Sequence, residues 1–195
     1  ISDLLERCVP AETAQDIVVV LGDSHAADIY AALHRLYPDA PIAQITGAGC
    51  SLGRPREDRR FCETLFGWGT DWIAANRDRI AGVIYSERGA QFMLGDPAHG
   101  RGDLSPDLRA IDVLMDSLET IAAQKVPVLL WGPRAEFHPE PEVLMHRVQS
   151  IGRTAELYAE WDLSAFTALD AEMARHAEGA GLDYLSSLAR LSAPP

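Results

Sequence analysis

A short segment near the N-terminus, Gly22-Asp23-Ser24-His25, brings an acid, a hydroxyl and an imidazole together directly after an apolar run. A serine hydroxyl can attack an acyl carbonyl when a base removes its proton and hydrogen-bond donors stabilise the oxyanion that forms. Asp and Ser are also preferred at helix N-caps, so a purely structural capping role is the alternative for this pair. The complete tetrad favours nucleophilic chemistry at Ser24.

The segments on either side of this tetrad indicate where Ser24 lies in the fold. Residues 17–21 form an unbroken apolar run, which is typical of a strand buried on both faces of a parallel sheet. Residues 26–37 carry apolar side chains at helical spacing, and Gly22 permits a sharp turn between the two elements. We therefore expect Ser24 at the carboxyl edge of the sheet, beside a helix N-terminus, where open α/β folds bind their ligands.

The rest of the chain continues this alternation of strands and amphipathic helices. The pattern predicts an α/β fold of three layers, with a central parallel sheet covered by helices on both sides. Ser105-Pro106 indicates a helix N-cap followed by a first-turn proline. The predicted elements are strand 16–21, helix 25–36, strand 41–46, loop 47–62, helix 63–80, strand 82–86, loop 87–104, helix 105–124, strand 126–132, loop 133–141, helical segments 142–151 and 163–179, and strand 181–186.

Length and charge limit the kinds of protein this chain can be. Its 195 residues suffice for one α/β domain, so we predict a single domain over residues 1–195. A formal net charge of −12 disfavours nucleic-acid binding, which needs clustered Lys and Arg. No apolar run approaches the length of a membrane span, and no Gly-x-Gly-x-x-Gly or Walker sequence points to a nucleotide.

The chain has three cysteines, Cys8, Cys50 and Cys62, with no Cys-x-x-Cys pair and no suitably spaced histidines. We therefore predict no metal site. Cys50 and Cys62 bracket a loop rich in Gly, Arg and Pro, which a disulfide would close. Ordinary reduced thiols are the alternative for all three.

Three short motifs resemble the SGNH (GDSL-like) hydrolase superfamily: Gly-Asp-Ser-His at 22–25, Gly-Ala-Gly-Cys at 47–50 and Gly-Pro-x-x-Glu at 132–136. Together they are similar to the SGNH domain fused to membrane-bound acyltransferase-3 domains, which O-acylate bacterial cell-surface polysaccharides. The resemblance covers roughly residues 8–190 and implies an SGNH-hydrolase, flavodoxin-like fold. It also implies Ser24 as nucleophile, no cofactor, and a location at the periplasmic or extracytoplasmic face of a bacterial membrane. In that oxidising location Cys8 would pair with a cysteine beyond the present C-terminus.

The same resemblance implies where an oxyanion would be bound. The N–H of Ser24 is the first donor, and Gly47 or Gly49 matches the glycine that supplies the second. The superfamily's third donor is an Asn after the third strand, but residues 83–90 contain none, and the acyltransferase-linked subgroup points instead to Arg88. Shaping a turn before Cys50 is the alternative role of the two glycines. Arg88 has the alternative of pairing with Glu87 or another carboxylate.

The catalytic base is missing from its expected place. The superfamily draws Asp and His from an Asp-x-x-His motif after the last strand, whereas this chain closes on Leu-Ala-Arg-Leu-Ser-Ala-Pro-Pro. Asp96-Pro-Ala-His99 matches the motif literally, but it falls in the loop after the third strand, so we rank it low as a substitute base pair. The side chain of His25 is expected to point away from Ser24. We expect the domain to be truncated at its C-terminus.

Two functions of different classes follow from these residues. The first is an SGNH-type serine acyltransferase or esterase domain acting on O-acyl, chiefly O-acetyl, groups of bacterial cell-surface carbohydrate. Its partners would be an acyl donor, a carbohydrate acceptor and a membrane-embedded acyltransferase domain. The second is a catalytically degenerate SGNH fold that binds saccharide or docks on a membrane acyltransferase. Nothing in the residues distinguishes transfer from hydrolysis.

Overall fold

A computed structural model describes residues 8–10, 14–55, 57–95, 104–134, 136 and 164–192. Five strands form one sheet in the order β2-β1-β3-β4-β5, and every neighbouring pair is parallel. This arrangement confirms the predicted parallel α/β sheet. The strands are β1 (Ile17–Gly22), β2 (Ile42–Thr46), β3 (Ile80–Ser86), β4 (Val128–Trp131) and β5 (Asp183–Leu185).

Helices cover both faces of the sheet, as a parallel sheet requires. Alternate β1 side chains enter different cores: Val19 joins the larger apolar cluster, and Val20 joins the smaller cluster beneath α1. Helices α2, α3 and α4 contribute to the larger cluster, so the three predicted layers are present. The helices are α1 (Ser24–Leu36), α2 (Arg60–Asn76), α3 (Leu108–Ala122), α4 (Ser164–Gly179) and α5 (Ser187–Ser192), with short 3-10 turns at Glu57–Arg59, Arg77–Arg79 and Gly89–Phe92.

Two predicted helices have different ends in the structure. The helix predicted over 63–80 is α2, which ends at Asn76 because Ile80 already belongs to β3 and pairs with Ile17 of β1. The helix predicted to begin at Ser105-Pro106 begins at Leu108, so that prediction was wrong. Pro106 is held instead in a bridge with Met93.

The residue that caps α3 is Asp107, whose carboxylate accepts a hydrogen bond from the Ala110 N–H at 3.2 Å. The ends of the strands differ from the predicted ones by no more than two residues. Helix α5 was not predicted, and the helical segment expected over 142–151 lies outside the described residues. None of the described helices is both long and apolar enough to cross a membrane.

Candidate active site

Ser24 lies at the carboxyl edge of the sheet, where β1 turns into α1. It is the first residue of α1, and its side chain is exposed. The turn requires glycine at position 22, because φ is +143° there and an added Cβ would lie 1.9 Å from the Ser86 carbonyl oxygen. As a first-turn residue Ser24 has an N–H with no acceptor inside the helix. The turn therefore presents a hydroxyl and a backbone donor side by side.

Asp23 is buried beside Ser24 and connects three segments. Its Oδ1 accepts a hydrogen bond from the His25 N–H at 2.8 Å. Its Oδ2 accepts from the Arg88 N–H at 3.0 Å and from Gln91 Nε2 at 3.1 Å. The capping alternative is thus correct for Asp23, which is the N-cap of α1. No described residue hydrogen-bonds the Ser24 hydroxyl, so capping does not account for the serine.

The two candidate glycines follow β2 directly. The register pairs Gly22 with Thr46, which brings Gly47 next to the Ser24 turn. The Gly47 N–H donates to the Gly22 carbonyl at 3.0 Å, so it is already engaged. The N–H of Gly49 has no backbone acceptor within the described part of the chain. Gly49 has a φ of +65°, a left-handed backbone conformation that favours glycine at this position as well.

A disulfide joins Cys50 to Cys62, with their Cα atoms 5.3 Å apart. This bond confirms the predicted pairing. It fastens the glycine turn after β2 to the first turns of α2, and Cys50 and Cys62 are both buried. The turn is therefore covalently constrained close to the candidate oxyanion donors. Cys8 is exposed, and the proposed partner for it stays a prediction.

Arg88 is held at the site by an ion pair. Its Nε donates to Glu136 Oε2 at 2.7 Å, while about half of the Arg88 side chain (48%) stays exposed. The other oxygen of Glu136 accepts from the Ala90 N–H at 2.9 Å. Arg88 thus pairs with the last residue of the Gly-Pro-x-x-Glu motif, not with Glu87. This motif connects the loop after β4 to the loop after β3.

A buried carboxyl group at position 87 was missed by sequence reasoning. The Glu87 side chain is buried, and the hydroxyl of Tyr85 donates to its Oε2. Burial raises the pKa of Glu87 to about 8, the charge of Asp23 acts in the same direction, and hydrogen bonds from Ser51 and Tyr85 oppose the shift. Strand alternation was the available signal, since Glu87 falls on the same side of the chain as buried Tyr85.

His25 lies among the charged groups of the site, and its expected orientation away from Ser24 stays a prediction. It is partly buried, and its Nδ1 has no hydrogen-bond partner among the described residues. Burial lowers the pKa of His25, the positive charge of Arg134 lowers it further, and the carboxylates of Asp23 and Glu136 act against both. The imidazole is therefore biased toward its neutral form next to the proposed nucleophile.

Asp96 and His99 lie outside the described residues. The described residues contain no cluster of side chains that would hold a metal ion. A groove of about 570 Å³ runs along α1, with Ile29, Leu33 and Trp131 in its apolar lining. Its mouth carries the ion pair between Arg134 and Asp28, at 3.0 Å, one helical turn from Ser24.

Comparison with known proteins agrees with this architecture. The family model described as "SGNH domain (fused to AT3 domains)" matches residues 2–190. The chain is similar in structure to the periplasmic domain of a lipopolysaccharide acetyltransferase from Salmonella ser. Paratyphi A. The TM-score is 0.63 at 17% sequence identity, over 92% of this chain and 68% of that one. That likeness shows a shared fold. No curated protein matches the chain.

Proposed function

Because the chain belongs to the family of SGNH domains fused to AT3 domains, we propose that it is a serine acyltransferase or esterase domain. Its substrates are O-acyl groups, chiefly O-acetyl, of bacterial cell-surface carbohydrate, and Ser24 is the nucleophile. The observation that carries the proposal is the exposed Ser24 hydroxyl at the N-terminus of α1, which no described residue hydrogen-bonds, beside the buried carboxyl group of Asp23. Contacts within the described residues therefore give this hydroxyl no structural role.

The reaction runs in two acyl-transfer steps. The Ser24 Oγ attacks the acyl carbonyl carbon as a base takes its proton, and a tetrahedral oxyanion forms. Collapse of this intermediate breaks the bond to the leaving oxygen, which receives a proton, and leaves an acyl-Ser24 ester. A sugar hydroxyl or water then attacks the ester in the same manner and releases the serine. The choice between sugar and water decides between transferase and esterase.

We propose three hydrogen-bond donors for the oxyanion. The Ser24 N–H belongs to the positive end of α1, which favours a developing negative charge. The Gly49 N–H is the better candidate of the two glycines, since that of Gly47 donates to Gly22. The Arg88 guanidinium has five N–H donors, of which its contact with Glu136 engages the one at Nε. Removing one such donor typically lowers kcat about a hundredfold or more.

The mechanism also needs a general base that takes the proton of Ser24. General-base assistance contributes about a hundredfold to ten-thousandfold. We propose that Asp and His are supplied, as the resemblance implies, by an Asp-x-x-His segment that returns to Ser24. These 195 residues should then turn over activated acetyl esters barely above background. If the chain is instead robustly active and His99→Ala abolishes that activity, the base is Asp96 and His99.

Covalent labelling tests the nucleophile without requiring turnover. The chain is incubated with p-nitrophenyl acetate, and the acetylated residue is located by peptide mass spectrometry. Acylation is slow without the base, but a single label accumulates over a prolonged incubation, so acetylation should concentrate on Ser24 and disappear in Ser24→Ala. Ser117→Ala is the matched control, because that hydroxyl only bonds the Val113 carbonyl within α3. Labelling that persists in Ser24→Ala would remove the nucleophile assignment.

A saccharide-binding or docking role without catalysis is the second candidate. It is favoured by the engagement of two proposed donors, Gly47 with Gly22 and Arg88 with Glu136. It predicts that Ser24 is not acetylated and that Ser24→Ala leaves saccharide binding unchanged. For either role we propose a periplasmic or extracytoplasmic location and a membrane-embedded acyltransferase domain as the partner.

A further inference from the structure

The carboxyl group of Glu87 is buried where the two loops that bear the oxyanion donors meet. The Tyr85 hydroxyl donates to Glu87 Oε2 and accepts from the Leu52 N–H at 3.2 Å. Leu52 belongs to the loop after β2, three residues beyond Gly49. Glu87 directly precedes Arg88 in the loop after β3. A short chain of buried hydrogen bonds therefore connects the two loops.

The surroundings of Glu87 disfavour a negative charge on its carboxyl group. Glu87 Oε1 is buried and has no hydrogen-bond partner in the described part of the chain. A buried carboxylate without compensating donors is strongly unfavourable, whereas a neutral carboxylic acid loses much less on leaving water. The ionised form would also face the carboxylate of Asp23. Burial and the facing charge of Asp23 therefore favour the protonated group.

We propose that Glu87 is a positioning residue that, as a neutral buried acid, holds the loop of Gly49 against the loop of Arg88. Its ionisation would place a second negative charge beside Asp23 and loosen the oxyanion side of the site. This inference rests on the proposed function of Ser24, Gly49 and Arg88, because it deepens the account of that same site.

The groups that face Glu87 come from three elements. Tyr85 lies on β3, and burial raises its pKa well above the usual value, so the phenol stays neutral. Asp23 on the turn between β1 and α1 contributes the facing charge. The loop after β2 contributes the Ser51 hydroxyl and the Leu52 N–H, neither of which titrates. The pKa of about 8 at Glu87 is therefore set mainly by burial.

The raised pKa fixes the sign of the pH effect. Between the ordinary value of 4.5 and about 8, the folded chain keeps a proton that the unfolded chain releases. The free energy of unfolding therefore falls as pH rises through this window, and the loss is complete above it. Below the window both states are protonated at Glu87, and the residue contributes no pH dependence.

Two measurements test the neutral acid without using activity. We compare the thermal midpoint of the wild type with that of Glu87→Gln from about pH 5 to about pH 9. The variant should gain on the wild type steadily as pH rises, because its amide cannot ionise. Glu136→Gln is the matched control, and its difference from the wild type should not grow in this way. Infrared spectra near neutral pH should show a protonated-carboxyl band that Glu87→Gln removes.

Loop positioning needs its own readout. Amide hydrogen exchange at Leu52 and Arg88 should be several-fold faster in the wild type than in Glu87→Gln above about pH 8, and equal near pH 6. The rate of Ser24 acetylation should follow the same pattern, with Glu87→Gln matching the wild type near pH 6 and exceeding it above pH 8. A pH-independent stability difference, a missing carboxyl band or equal exchange at both pH values would overturn the proposal. Absence of Ser24 acetylation in every variant would instead reject the proposed function, and the other three readouts would still decide the role of Glu87.

Discussion

Two carboxyl groups at the same edge of the sheet are similarly buried but differ in the hydrogen bonds that they accept. Asp23 is 1% exposed and accepts three hydrogen bonds, from His25, Arg88 and Gln91. Glu87 is 4% exposed and accepts a hydrogen bond from the Tyr85 hydroxyl at Oε2, close to the Ser51 hydroxyl and the Leu52 N–H, while its Oε1 has no partner among the described residues. The two groups are similarly buried, but both oxygens of Asp23 accept hydrogen bonds, whereas one oxygen of Glu87 accepts none from the described residues.

The difference assigns separate tasks to the two acids. Asp23 is a fixed acceptor that ties the start of α1 to the loop after β3. Glu87 is a neutral link between that loop and the loop after β2. Variants that remove hydrogen-bond donors or acceptors one at a time should therefore distinguish the role of Asp23 from that of Glu87.

The largest effect is expected at Asp23. Asp23→Ala leaves three donors without an acceptor and removes the cap of α1, and we expect a loss of about 4 kcal/mol in unfolding free energy. Asp23→Asn keeps one carbonyl oxygen and should recover part of this loss. Urea unfolding near pH 7 measures both variants. A loss below about 1 kcal/mol for the alanine variant would mean that Asp23 is no more than a peripheral cap.

The disulfide should have the next largest effect on the loop that Glu87 helps to hold. The bond closes a separation of 12 residues, and chain entropy alone attributes about 3 kcal/mol to such a closure. We expect the double variant Cys50→Ala, Cys62→Ala to lose about that amount in urea unfolding. A reducing agent should then destabilise the wild type but leave the double variant unchanged. Equal sensitivity of the two proteins would assign the effect to another thiol.

Tyr85→Phe should have a smaller effect and a diagnostic pH dependence. It removes the donor to Glu87 and the acceptor of the Leu52 N–H, which predicts a loss of about 1–2 kcal/mol near pH 6. Because the Tyr85 hydroxyl favours the charged form of Glu87, its removal should raise the pKa of Glu87 further above 8. Unfolding curves across the pH range report this as a stability decline that begins near the same pH but continues to higher pH than in the wild type. A decline that ends at lower pH than in the wild type would contradict the hydrogen-bond account.

The smallest effect on stability is expected for Arg88 and Glu136. Their ion pair is partly exposed, so Arg88→Gln should lose only about 0.5 kcal/mol, and less at high salt. A double-mutant cycle with Glu136→Gln measures the coupling between the two side chains. The rate of Ser24 acetylation should fall far more than stability does if Arg88 binds the oxyanion. Equal small losses in both measurements would leave Arg88 with a structural role alone.

The sequence predicted the fold correctly where a local pattern of residues is compatible with only one structure. The apolar run before Gly22 predicted β1, and the helical spacing after it predicted α1 and the position of Ser24. The cysteines at 50 and 62 flank a single loop, and they are joined. In each of these places propensity, turn chemistry and packing favour the same structure.

The features that the sequence did not predict depend on contacts between residues that are far apart in the chain. The sequence contains several carboxylates that could pair with Arg88, and the partner in the structure, Glu136, is 48 residues away in the chain. Ser105-Pro106 had the form of a helix start, yet the bridge to Met93 engages Pro106, and the helix starts only at Leu108. Burial of Glu87 depends on the loop after β2 closing over it, which no local pattern encodes.

The strand order has a consequence for folding while the chain is being synthesised from its N-terminus. β1, β2 and β3 carry Ser24, Gly49 and Arg88 at or just beyond their ends, so the nucleophile and its proposed donors can assemble before the last two strands arrive. β4 and then β5 add in sequence to one side. Until residues 183–185 are available, apolar β4 is an unpaired edge open to other chains. Delayed completion of the domain therefore creates an aggregation hazard at β4, away from the residues proposed to do the chemistry.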